Sequence, residues 1–191
     1  MGFLFVLSQA QRWVAERITP GDIVVDATAG NGQDTLFLAQ SVGIDGMVYA
    51  FDIQAAALEN TRARLELEAS NSIAAVTLIH TGHENMAQRI PPEHHGRIAA
   101  TMFNLGYLPG SSQNVITKPS TTLPALETAL LLLRSGGLLT IVVYPGHEGG
   151  DQEAATVHTW AAEISPSRAQ TVIYRFPQKS AAPYLIALIK K

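Results

Sequence analysis

The sequence predicts an α/β fold: a doubly wound, mostly parallel sheet closed by a C-terminal antiparallel hairpin strand. Three observations carry that reading. Short apolar, β-rich runs alternate with longer helix-like stretches, the pattern of parallel strands joined by helical crossovers. The last two strands have only a Pro/Gln/Lys/Ser turn between them, and so short a link makes a hairpin. The chain of 191 residues is 47% hydrophobic and 15% charged, enough to bury one sizeable core, so a single domain over 1–191 is expected.

Taken in order, residues 23–27 follow a Pro20-Gly21 turn and read as a buried strand, and 33–41 as a helix. Residues 47–52 form the second strand. Residues 54–69 form the second helix, with Leu58, Leu65 and Leu67 among its apolar positions. Strands three and four are expected over 76–80 and 98–103. A Leu-rich helix follows over 123–133, with Arg134 and Gly136-Gly137 as its C-cap signal. Residues 138–144 form the fifth strand, 151–164 a helix, and 169–176 and 184–189 the closing pair. The irregular stretch over 105–120 is the longest loop, and long loops in compact domains are often functional.

Composition removes several function classes. Cysteine is absent, which excludes a disulfide framework, a cysteine nucleophile and a thiolate metal site. Net charge is −3 and the pI about 6.0, which argues against a strongly basic nucleic-acid binder. The apolar N-terminus lacks the positive flank and cleavage site of a signal peptide, and Val6 breaks the myristoylation pattern. No stretch reaches the ~18 apolar residues of a membrane span. A soluble, cytoplasmic protein is expected.

The first turn carries the clearest chemistry. Asp26-Ala27-Thr28-Ala29-Gly30-Asn31-Gly32 follows the first strand and precedes a helix, at the sheet edge where doubly wound folds bind ligands. Gly30 and Gly32 permit close backbone approach. Asp52 closes the second strand roughly 20 residues on, where an acid can hydrogen-bond ribose hydroxyls. A dinucleotide fingerprint would need a glycine where Thr35 stands, and Asp34 would repel a pyrophosphate. An acidic turn instead suits S-adenosylmethionine, whose sulfonium and ammonium are both positive.

Asp26-x-x-x-Gly30-x-Gly32 with Asp52 is similar to the first two motifs of class I S-adenosylmethionine-dependent methyltransferases, although Thr28 replaces the usual first glycine. The longer strings are more specific. Residues 26–35 (DATAGNGQDT), 51–54 (FDIQ), 103–110 (FNLGYLPG) and 144–150 (YPGHEGG) together resemble the YtqB-like family, long labelled rRNA methylases. The resemblance runs over nearly the whole chain in the right order. It implies the seven-stranded Rossmann-like methyltransferase sheet. It also implies methylation of the amine of 5-aminomethyl-2-thiouridine at the tRNA wobble position.

Further residues take roles from this resemblance and from their place at strand ends. Asn104-Leu105-Gly106-Tyr107 resembles the Asn/Asp-Pro-Pro-Tyr/Phe motif of nitrogen methyltransferases, with Leu-Gly in place of Pro-Pro. Asn104 would accept a hydrogen bond from the target amine, and Tyr107 and Tyr144 would pack on the uridine. His147 is the candidate base and Glu148 a partner for the amine or for His147. Asp26, Gly30, Asn31 and Gly32 would shape the methionine and ribose site, with Asp34 helping its charged part. Gln54 and His83 would border the adenine, with Glu84 the alternative to His83 for the contact to the adenine amine. Lys118 and Thr121 are candidate phosphate contacts, although Thr121 or Thr122 equally suits a helix N-cap.

The His83-Glu84 and His147-Glu148 pairs are adjacent residues, a spacing that does not suit metal ligation, and no metal is expected. With its 13 Lys and Arg scattered, the chain is expected to bind tRNA as a homodimer. Two other functions fit the same residues: a methyltransferase of rRNA or of a small amine, and a non-catalytic module binding S-adenosylmethionine or RNA.

Overall fold

The computed structural model describes residues 2–68, 73–106, 117–146, 150–179 and 181–191. Seven strands form one sheet in the order β3-β2-β1-β4-β5-β7-β6. They are β1 (Ile23–Asp26), β2 (Met47–Asp52), β3 (Ala75–His80), β4 (Ile98–Leu105), β5 (Leu133–Val143), β6 (Ala169–Tyr174) and β7 (Tyr184–Lys190). The first five run parallel, while β7 is antiparallel to both of its neighbours, β5 and β6. The reversed strand therefore lies one place inside the edge, between β5 and β6.

Helices α1 (Val6–Ala15), α2 (Gln33–Val42), α3 (Ala55–Glu68), α4 (Met86–Arg89), α5 (Pro119–Leu132) and α6 (Gly150–Glu163) cover the sheet. Strand alternation assigns the faces. Val24, Val48, Met102, Val142 and Leu185 point to one side and meet Val6, Ala10 and Val14 of α1 and Leu38, Ala39 and Val42 of α2. Val25, Tyr49, Phe51, Phe103, Leu139 and Ile141 point to the other and meet α4, α5 and α6. Leu58 of α3 packs on Ala29 and Ala50. Among the described residues, no helix is long and apolar enough to cross a membrane.

Three local expectations change. The helix α1 was not foreseen, although Val6, Ala10 and Val14 recur every four residues and form its buried stripe. α5 begins at Pro119, where proline suits the first helical position, rather than at 123. Thr121 and Thr122 thus lie inside its first turn, and neither is the N-cap, a place held by Lys118 without a side-chain cap. Arg134 and Gly136-Gly137 do not cap α5. They form a bulge at the start of β5, where the pairing with β4 jumps from Ile98↔Leu133 to Ala100↔Leu138. Arg134 is held there by Asp22 at 2.6 Å.

Candidate active site

The carboxyl ends of β1, β2, β4 and β5 open into one cleft of about 1080 Å³. Its floor is the turn after β1. Asp26 is fully buried beneath that turn and accepts from the Thr28 N–H at 3.1 Å and the Thr35 hydroxyl at 2.6 Å. Burial first, and then the charge of Asp34, push its carboxyl up to about 7. Asp52 holds the turn from the side: one oxygen accepts from Gly30 N–H at 2.9 Å, the other from Gln54 N–H at 2.8 Å. From α3, Thr61 donates to the Gly30 carbonyl at 3.1 Å and Arg64 to the Asn31 carbonyl at 2.6 Å. Asn60 donates to the Asn31 side chain at 3.0 Å.

Gly32 is dictated by packing. Its φ is +76°, and a Cβ there would lie 2.8 Å from the Thr61 Cα. Glycine lets α2 begin directly against α3.

The end of β4 supplies the second wall. Asn104 N–H donates to the Thr28 hydroxyl at 2.8 Å, tying β4 to the turn after β1. The Asn104 side-chain NH₂ donates to one oxygen of Asp34. Gln11 of α1 donates to the other at 2.7 Å. The Asn104 Oδ1 is buried and has no hydrogen-bond partner among the described residues. Tyr144, just past β5, lines the same cleft, and burial together with Asp34 raises its phenol pKa. His83 is buried against the Phe103 ring, with centroids 5.5 Å apart, and lies 3.3 Å from the Ala27 carbonyl. Desolvation lowers its pKa, so it is neutral near pH 7.

Ten of the residues singled out in the sequence line this cleft: Gly30, Asn31, Asp34, Asp52, Gln54, His83, Asn104, Lys118, Thr121 and Tyr144. Glu84 lines it beside His83. Asp26 and Gly32 lie behind the turn and act on its shape, because one is fully buried and the other is packed on α3. Thr121 turns its hydroxyl back to the Lys118 carbonyl at 3.1 Å. Tyr107, His147 and Glu148 lie outside the described residues.

Sequence reasoning missed Gln11, Thr28, Thr61 and Arg64, which hold the site together. It also missed Glu153, a buried carboxylate that accepts from both the Thr117 and Thr122 hydroxyls at 2.6 Å. The stripe of α1 was the available signal for Gln11. The others are joined to the site only by long-range contacts. Among the described residues, no group of three or more His, Asp or Glu could hold a metal ion.

The family model described as "Putative rRNA methylase" matches residues 48–190. The chain belongs to this rRNA methylase family. The match takes in Asp52, His83, Asn104 and Tyr144 and begins after the glycine turn. A solved structure from Clostridium thermocellum with the same description superposes with a TM-score of 0.93 at 36% identity, over 100% of both chains. A Streptococcus mutans protein, described in like terms as a methyltransferase and solved in complex with SAH, gives 0.86 at 34% identity over 100% of both chains. The chloroplastic tRNA (mnm(5)s(2)U34)-methyltransferase of Arabidopsis thaliana is 38% identical over 180 residues. That alignment covers 91% of this chain and 65% of the Arabidopsis protein, so the chain spans about two thirds of that relative's length. The family's seven-stranded sheet, reversed at β7, is the fold the sequence predicted.

Proposed function

We propose that this member of the rRNA methylase family is an S-adenosylmethionine-dependent methyltransferase acting on the aminomethyl nitrogen of 5-aminomethyl-2-thiouridine at the tRNA wobble position. The observation that carries the reading is the carboxamide oxygen of the cleft-lining Asn104, which is buried and without a partner among the described residues. A buried acceptor left unpaired costs free energy unless a ligand supplies its donor, and a primary amine is such a donor. The Arabidopsis relative, named for a modified wobble uridine, supports the same acceptor.

The lining suits the cofactor. Asp52 and Glu84 bring acceptors and negative charge to the cleft, which fits a positively charged cofactor with a ribose diol. When bound, S-adenosylmethionine supplies an activated methyl carbon on a neutral leaving group. Asp52 keeps acceptor capacity for the ribose hydroxyls while it braces Gly30. Gln54 and neutral His83 border the adenine, and the turn from Asp26 to Gly32 shapes the methionine side. Asn104 accepts an amine N–H and turns the nitrogen lone pair toward the methyl carbon, so positioning provides most of the acceleration. The amine reacts as its free base, and a proton leaves nitrogen. His147 is the candidate to take it. Tyr107 and Tyr144 pack on the base, while Glu148, Lys118 and Thr121 hold the rest of the substrate.

The catalytic unit is the single domain 1–191, working in the cytoplasm as a homodimer. Sedimentation that finds only monomer at full activity would remove the dimer. The acidic net charge favours a second reading, transfer to a small amine, and the family's description keeps rRNA as an acceptor. One experiment separates them: labelled S-adenosylmethionine with bulk tRNA and rRNA from a strain lacking the gene, followed by nucleoside mass spectrometry. Methylated aminomethyl-thiouridine is expected. Label in rRNA alone would discard the wobble assignment. No label in either RNA would move the acceptor to small amines.

A further inference from the structure

The contacts of Asp34 give it a different task from the one its place in the glycine turn suggests. Asp34 sits in the first turn of α2 and is 8% exposed. Both its oxygens are engaged, one by Gln11 Nε2 from α1 and the other by Asn104 Nδ2 from β4. A carboxylate only accepts hydrogen bonds, whereas a carboxamide has a donor end and an acceptor end. Asn104 must therefore turn its NH₂ to Asp34, and its oxygen is forced to the opposite side. That oxygen is buried and has no hydrogen-bond partner among the described residues, on a residue that lines the cleft.

We propose that Asp34, anchored by Gln11, is a positioning residue that fixes the amide of Asn104 with its oxygen presented to the acceptor amine. This role rests on the amine-acceptor reading above. Without Asp34 the amide could invert and present NH₂ to the incoming amine, two donors facing each other. The carboxylate also polarises the amide, which strengthens Oδ1 as an acceptor while the nitrogen gains positive charge on methylation. It further explains why an unforeseen helix, α1, reaches the cleft through Leu7 and Gln11.

The test is a double-mutant cycle between Asp34→Asn and Asn104→Ala, read as kcat and KM on tRNA and as SAH affinity by calorimetry. Asn at 34 keeps the shape but can donate to Asn104 Oδ1 and so reverse the amide. Asp34→Asn is expected to cut kcat by about 100-fold, the scale of a misplaced reacting group. SAH affinity and KM should stay within about 3-fold, and Asp34→Asn should add almost nothing in the Asn104→Ala background. Gln11→Ala, at a half-buried position, gives a second and milder reading: about a 10-fold loss in kcat, also absorbed by Asn104→Ala.

Multiplying losses would overturn the positioning role and make Asp34 independent of Asn104. A fall in SAH affinity equal to the fall in turnover would overturn it in favour of a cofactor contact. Gln11→Ala with wild-type turnover would overturn the anchoring. If the wild-type chain labels no tRNA, the acceptor reading itself falls; the other outcomes are read with an active wild type and touch this role alone.

Discussion

Asp52 touches the glycine turn and the start of the next segment at once, through Gly30 N–H and Gln54 N–H. Asp52→Ala therefore removes a proposed ribose acceptor and also loosens the turn. SAH affinity should fall by about 10-fold or more, the worth of a charge-assisted hydrogen bond. Calorimetry showing unchanged affinity would contradict the ribose role. Asp26 makes a different prediction. Its folded carboxyl titrates near 7, raised by burial and by Asp34, against an ordinary value of 3.8. Between those pH values the folded chain holds a proton that the unfolded chain has lost. Stability from this group is thus fully present below pH ~4 and is lost as pH rises toward ~7, at up to ~1.4 kcal/mol per pH unit. Asp26→Asn keeps a neutral group of the same shape beside Thr28 and Thr35, so urea unfolding of the variant should lose that slope. A parallel pH dependence in both proteins would assign the slope to other groups.

At the level of elements, the junction from β1 to α2 is held as much by α3 as by its own sequence. Gly32→Ala would place a methyl 2.8 Å from the Thr61 Cα at φ +76°, and should cost roughly 1–3 kcal/mol in denaturant unfolding. A neutral result would mean that α3 shifts freely, against the hydrogen bonds from Thr61 and Arg64. Glu153 of α6 ties α5 and the chain before it through the Thr122 and Thr117 hydroxyls. Glu153→Ala leaves those hydroxyls without their acceptor and should cost about 2–4 kcal/mol. The central strands β1, β2, β4 and β5 were legible because burial on both faces writes continuous apolar runs, and the hairpin because β6 and β7 are joined without a crossover. The bulge at Gly136-Gly137 was not. A glycine pair after a Leu-rich run signals a helix end equally well, and the pairing of Leu133 with Ile98 decides between them. In the site, local spacing marked Gly30, Asp52 and Asn104. Thr61 and Glu153 reach it over 31 to 36 positions of chain, where periodicity carries no signal, whereas the apolar stripe of α1 marked the helix that carries Gln11.

The whole molecule carries 13 Lys and Arg against 16 Asp and Glu, an unusual balance for a chain proposed to act on tRNA. Several of its cations are already engaged. Arg12, Arg62, Arg134 and Arg168 face Glu16, Glu59, Asp22 and Glu127. Arg64 is pinned to the Asn31 carbonyl, and Lys190 donates to the carbonyls of Leu131 and Leu133. Six of the 13 are thus engaged, and the others are scattered along the chain without a run longer than Lys190-Lys191, so tRNA recognition is predicted to lean on the base in the cleft and on shape. Each phosphate neutralised adds ~0.7–0.9 to the slope of log affinity against log salt. A slope of about −2 to −3 is expected, roughly a 15- to 60-fold loss in tRNA affinity between ~50 and ~200 mM salt. A protein with six to ten phosphate contacts loses ~10³–10⁵ over the same range. Filter binding across salt and protein concentration distinguishes the sources of charge. A slope steeper than about −5 that appears only as the protein self-associates would place the phosphate contacts on a second subunit. The same steep slope at concentrations where the chain is monomeric would mean that one acidic domain gathers its phosphates by itself, and recognition through base and shape would be wrong.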